Sequence, residues 1–145
     1  ACIVLFALAL LVIYLSTSDL RVSGRTVGEK KAVNAAETGI HRLILGFEPD
    51  KTTWDPNDVN SIYGKKTQVD ANNDPSSYYT ISAPARPSSK VYFLPVAGYD
   101  ITGGKEWGLT CYQIEVTGQN DHYDTEVSIL TGIGYGPVKK DTVLE

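Results

Sequence analysis

The sequence predicts an α+β fold: a long N-terminal α-helix, hydrophobic and then amphipathic, packed on a C-terminal antiparallel β-sheet head. Three observations predict it. Residues Ala1 to Leu15 form an unbroken apolar run. From Asp19 to about Gly46 the apolar residues recur largely at three- and four-residue steps, the period of one helical face. Beyond residue 48, segments rich in β-branched and aromatic residues alternate with clusters of Gly, Pro, Asn and Asp. The division is therefore a helix over 1–47, apolar over residues 1–18 and amphipathic over residues 19–47, followed by a β-rich head over 48–145.

The apolar run gives a helix of about 22 Å, or about 27 Å through Ser18, close to the roughly 30 Å of a bilayer core. It lacks the basic start and small-residue cleavage site of a secretory signal peptide. The chain opens at Ala1 without a Met, from which removal of an earlier segment is expected. In the amphipathic half Leu20, Val27, Val33, Ala36, Ile40, Leu43, Ile44 and Phe47 mark the apolar face. Asp19, Arg21, Arg25, Glu29, Lys30, Lys31, Glu37 and Arg42 make a polar face of mixed sign. One helix from Ala1 to Leu45 is about 67 Å long, and the head alone cannot cover it. Its apolar surface needs lipid or copies of itself. Gly24 and Gly28 each cost about 1 kcal/mol relative to Ala, so a bend or an unwound segment is expected between Ser16 and Gly28. Gly46 and Pro49 close the helix.

A net charge of −4 over 145 residues, with the basic residues scattered except near Arg21 to Lys31, leaves no basic face for nucleic acid. Thirteen Gly, seven Pro and nine Tyr describe a loop-rich, β-rich head of the secreted kind. Cys2 and Cys111, one in the rod and one in a strand, are expected to be separate thiols.

In the head, Glu48–Gly64 and Asp70–Ser77 read as turn-rich connectors. Strands are predicted over Tyr78–Ala83, Lys90–Ala97, Trp107–Thr117 and Glu126–Tyr135, with Gly118–Asp124 as the hairpin loop between the last two. Tyr112, Ile114 and Val116 share one face of the first of that pair; Val127, Ile129, Thr131 and Ile133 share one face of its partner. The sheet is expected to cover Val33, Ile40, Leu43 and Phe47. Asp55, Asn57, Asp58 and Asn60 put oxygen ligands within six residues, the donor type calcium prefers, but without EF-hand spacing. They are weak metal candidates beside an ordinary Asx-rich turn, and no metal or cofactor is expected. Gly132 to Pro137 lacks the following helix that a phosphate loop requires. Neither His41 nor His122 has a Ser or Cys at motif spacing, and no convergent set of titratable groups suggests an enzyme.

An apolar N-terminal helix that begins at a processed end, turns amphipathic and carries a mostly β head resembles a type IV pilin or pilin-like protein. The stretch SGRTVGEKKAVNAAETGIHRL, Ser23 to Leu43, looks like the box of the PilX-like group of pilus-assembly pilins, with Ala35-Ala36-Glu37-Thr38-Gly39 as its small-residue motif. With the rod, this covers about a third of the chain; the head carries no assignable motif. Most type IV pilins have a glutamate at the fifth residue of the mature chain, opposite a neighbour's N-terminal amine. This chain has Leu5, as the PilX-like group often lacks that glutamate.

The resemblance implies a structural subunit of an extracellular, pilus-like filament on the cell surface. The subunit would be anchored in the inner membrane before assembly and would polymerise with itself through the N-terminal helix, with the β head exposed. Its partners would be its own copies, the membrane and the pilus assembly machinery. Assembly would run through Leu5, Leu8, Leu11, Val12 and Leu15 in the apolar half. In the amphipathic half it would use Asp19, Arg21, Arg25, Glu29, Lys30 and Glu37, with Arg21, Arg25, Lys30 and Lys31 pairing between subunits to Asp19, Glu29 and Glu37. The alternatives are a single-pass, membrane-anchored periplasmic binding domain, or a minor pilin or pseudopilin of a secretion system. Four Lys/Arg follow the span and none precede it, which by itself places the head on the cytoplasmic side; a basic leader would be needed to reverse that.

Overall fold

A computed structural model describes residues 2–49, 54–87, 93–96 and 107–139, without the side chains of Cys2 and Ile3. Its first element is an uninterrupted α-helix, α1 (Cys2–Gly46), 45 residues and therefore about 67 Å long. It stops at Gly46, three residues before Pro49, where the sequence closes it. The unwound segment expected between Ser16 and Gly28 is not formed: those residues are all helical. The hydroxyls of Thr17, Thr26 and Thr38 bond back to the carbonyls of Ile13, Val22 and Asn34 at 2.8, 3.0 and 2.8 Å, staying within the helical turn.

The head is a five-stranded antiparallel sheet of β1 (Thr67–Asp70), β2 (Asp74–Ile81), β3 (Phe93–Pro95), β4 (Trp107–Asn120) and β5 (Thr125–Lys139). β4 is its spine. One edge of β4 pairs with β5 along nearly its whole length. The other pairs with β2 near its C-terminal end, bridges to Ala85 at Gln113, and pairs with β3 near its start. β1 lies outside β2.

Five sequence expectations change. Asp70–Ser77 is not a connector throughout: β1 ends and β2 begins inside it, leaving a turn at Ala71–Asn73. The polar run Asp74–Ser77 is extended because Ser77 lies opposite Asn120 and Ser76 accepts the Asp121 amide at 2.9 Å. β1 has no counterpart among the predicted strands, and the one predicted over Tyr78–Ala83 ends at Ile81. The hairpin loop shrinks from Gly118–Asp124 to Asp121–Asp124, with Asp124 in the left-handed region at φ 51°. The Gly132–Pro137 stretch lies within β5, carried on by a register shift opposite Gly108–Thr110. Of the predicted strand Lys90–Ala97, residues 90–92 and 97 lie outside the described residues.

Helix and sheet meet along a seam of small side chains. Gly28, Ala32, Ala35, Ala36 and Gly39 are buried at helical spacing, with β4 against Ala32, Ala36 and Gly39 and the β4–β5 hairpin tip against Gly28. A Cβ built on Gly118 would sit 2.0 Å from the Ala32 carbonyl oxygen and 2.5 Å from the Ala36 nitrogen. One on Gly39 would sit 2.7 Å from Val116 Cγ1, and one on Gly28 2.5 Å from Tyr123 Cβ. Glycine is needed at these positions for close approach. Past the seam the core widens to take Leu43, Tyr63, Tyr79, Ile81, Ile114 and Val116, with Ile40, Phe47, Trp54 and Ile133 packed around them. The expected covering of Ile40, Leu43 and Phe47 is thus present, and Val33 is half-buried. Val127, Ile129, Thr131 and Ile133 share the half-buried face of β5 as their alternation predicts.

Gly118→Ala is expected to destabilise the fold by about 3 kcal/mol, since the added methyl meets helix backbone that cannot rotate away. Leu130→Ser, on the exposed side of β5, is expected to stay within about 0.5 kcal/mol. Urea unfolding of the detergent-solubilised chain, followed by tryptophan fluorescence, measures both.

Candidate functional site

α1 separates into two halves by what covers it. From Val4 to Ser23 each residue is exposed; contact with the head begins at Gly24. Leu5, Leu8, Leu11, Val12 and Leu15 are between 53% and 67% exposed, and Val4, Phe6, Leu10, Ile13 and Tyr14 are exposed too. The apolar side chains run all round the helix rather than along one stripe, the pattern of a helix whose solvent is hydrocarbon or other helices. It is long and apolar enough to cross a bilayer, and none of its most apolar 18-residue window is buried.

Beyond this rod the predicted polar residues divide. Arg25 Nε donates to Glu29 Oε1 at 3.0 Å, one turn away on the same helix. Lys31 Nζ reaches into the head and donates to Asp74 Oδ1, also at 3.0 Å. Among the described residues, Asp19, Arg21, Lys30 and Glu37 make no ion pair within the chain. The structure therefore brings Lys31 to Asp74, 43 positions away, and leaves those four on the outer surface.

The Lys31–Asp74 pair begins a polar chain that fixes the tip of the β4–β5 hairpin over the helix. Ser77 Oγ donates to Asp74 Oδ2 at 2.7 Å, Asn120 Nδ2 donates to Ser77 Oγ at 2.8 Å, and the Tyr123 amide donates to Asn120 Oδ1 at 3.1 Å. Ser77 and Asn120 are each 1% exposed, so these bonds are shielded from water and costly to leave unmade. The Ser77 hydroxyl, and after it Lys31, hold the Asp74 carboxyl below its usual range. From the other side Lys66 Nζ pairs with Asp121 at 2.9 Å. Tyr123 then lies against Gly24 and Gly28. Between helix and hairpin tip an open groove of about 610 Å³ remains, lined by Arg21, Arg25, Glu29, His122, Asp124 and Glu126 among others.

The weak metal candidates form two successive Asx turns. Asp55 Oδ1 accepts from the Asn57 amide and from its side chain at 2.8 and 2.9 Å, and Asp58 Oδ1 accepts from the Asn60 amide at 2.9 Å. The Lys65 ammonium takes the Asp58 and Val59 carbonyls, putting a cation of the chain's own against this loop. Among the described residues no three His, Cys, Asp or Glu converge as a metal site would require. Cys111 carries a free, half-buried thiol; the thiol of Cys2 lies outside the described residues. His41 is exposed.

The chain matches no protein-family model, no curated protein and no solved structure.

The folded-state value of Asp74 lies below its unfolded value, so its stabilising contribution is complete above about pH 5 and is lost as pH falls through the folded value. The fall in urea midpoint between pH 7 and pH 3 is therefore expected to be smaller in Asp74→Asn than in the unaltered chain. Equal falls in the two would remove Asp74 from the acid response.

Proposed function

We propose that the chain is a pilin-like structural subunit, held in a membrane by the apolar half of α1 and assembled with its own copies by exchanging lipid for neighbouring helices. The observation that carries this reading is the uncovered rod. The chain holds an apolar helix well away from its head and supplies nothing among the described residues to cover it. Such a surface suits two solvents in turn, because van der Waals packing among Leu, Ala and Ile replaces contacts with acyl chains at little cost. The box in the amphipathic half of the helix has a physical role in this scheme. Its small residues seat the head on α1, while Glu37 lies outward, available with Asp19, Arg21 and Lys30 to a neighbouring subunit.

One observation favours the second reading, a single-pass anchor for a head that does not polymerise. Arg25 and Lys31 already have partners in their own chain, which leaves fewer charges for pairing between subunits. Electron microscopy of material sheared from the cell surface, with mass spectrometry of its protein, separates the two. Filaments built mainly of this chain support the subunit; its retention in the membrane fraction, with no filament containing it, supports the anchor.

Both readings require the rod to enter hydrocarbon. Val12→Arg places a charge near its middle at a cost of about 2.5–3.5 kcal/mol, and is expected to reduce co-flotation of the full chain with phospholipid vesicles severalfold. Flotation unchanged by this substitution would count against both.

A further inference from the structure

The groove between α1 and the β4–β5 turn does not end at the head. At Arg21 it meets a second furrow of about 420 Å³ along the rod, lined by Leu10, Ile13, Tyr14, Thr17 and Ser18 as well as Arg21 itself. An apolar channel thus opens into a charged one, and one side chain lines both. Their order follows the helix. Arg21 lies about 4.5 Å beyond Ser18 along the axis and Glu29 about 16 Å beyond it, so the cation nearest the apolar half comes first and the carboxylates follow. In the charged channel Arg25 is paired with Glu29, and Glu126 Oε2 accepts from Gln119 Nε2 at 2.7 Å. Among the described residues, Arg21 and Asp124 are the channel's charges with neither an ion pair nor a side-chain hydrogen bond. One is positive and faces the apolar side; the other is negative and lies at the hairpin tip.

We propose that this double groove binds a phospholipid with a phosphoethanolamine headgroup. The acyl chain lies along Leu10, Ile13 and Tyr14, the phosphate meets Arg21, and the ammonium meets the carboxylate of Asp124. The order of charges matches such a lipid, whose phosphate lies nearer the acyl chains than its ammonium. A glycerol headgroup would bring Asp124 no cation. A choline headgroup would bring a cation without an N–H donor, losing the charge-assisted hydrogen bond. The site rests on the membrane reading above, since it places Arg21 at the level of the lipid headgroups.

Native mass spectrometry of the detergent-solubilised full chain tests the site, using phosphatidylethanolamine, phosphatidylcholine and phosphatidylglycerol of identical acyl chains. Phosphatidylethanolamine is expected to be retained about tenfold better than the other two, the effect of one charge-assisted hydrogen bond. Asp124→Asn keeps a residue that tolerates the positive φ and is expected to abolish the preference over phosphatidylcholine. Arg21→Gln is expected to weaken retention of all three. Equal retention of the three lipids, or a preference untouched by both substitutions, would overturn the site. Vesicle flotation of the unaltered chain separates the two levels. A chain that floats without lipid preference loses only the headgroup site, whereas one that does not float loses the membrane reading and the site with it.

Discussion

The contact on which the rest of the structure depends is the approach of α1 to β4 at Gly118. A side chain at this glycine would overlap the backbone at Ala32 and Ala36, so the distance between helix and sheet is set by the absence of a Cβ. Everything nearby follows from that distance. Ala32, Ala35 and Ala36 are fully buried and Gly39 has no room for a Cβ, and the close approach gains packing contacts that individually are weak and collectively large. Only beyond Gly39, where helix and sheet separate, is there room for Leu43, Ile114 and the aromatic side chains. Phe47 and Trp54 meet Tyr112 there at ring-centroid distances of 5.5 and 5.6 Å.

The seam also determines where the head ends on the helix. Hydrophobic packing holds the middle of the sheet. The hairpin tip is polar, and its place over Gly24 and Gly28 depends on the bonds from Lys31 through Asp74, Ser77 and Asn120 to the Tyr123 amide. Because the tip stops at Gly24, twenty residues from Val4 to Ser23 project uncovered. The rod and the groove at its junction with the head are therefore products of one packing arrangement. Its small-residue seam is the physical content of the motif Ala35-Ala36-Glu37-Thr38-Gly39.

Much of this was legible in the sequence, for reasons that can be named. The apolar run and the three- and four-residue steps after it gave α1, and Gly46 with Pro49 gave its end. Strict alternation gave the facing sides of β4 and β5. Local polarity concealed the rest. Asp74-Pro75-Ser76-Ser77 has the composition of a turn and becomes strand because Asp74 pairs with Asp70 of β1 and Ser77 with Asn120, 43 positions away, a tertiary effect that overrides propensity. Gly24 and Gly28 read as helix weak points because their propensity cost is local, whereas their contact with Tyr123, which at Gly28 leaves no room for a Cβ, is not. Lys31 looked equivalent to Lys30 for the same reason: no periodic signal distinguishes the lysine facing Asp74 from its neighbour facing solvent. For the groove, no sequence signal existed, since its walls come from residues 21–29 and 122–126.

The central claim is that α1 passes from hydrocarbon to water between Ser18 and Arg25, where the head begins. Nitroxide labels placed singly from residue 5 to residue 30 of the full chain, on a background with both cysteines replaced and reconstituted in phospholipid bilayers, measure this directly through their collisions with oxygen and with a water-soluble nickel complex. The account predicts oxygen-dominated collisions through Ser18 and a crossover to nickel before Arg25. Nickel-dominated collisions along the whole rod would contradict it.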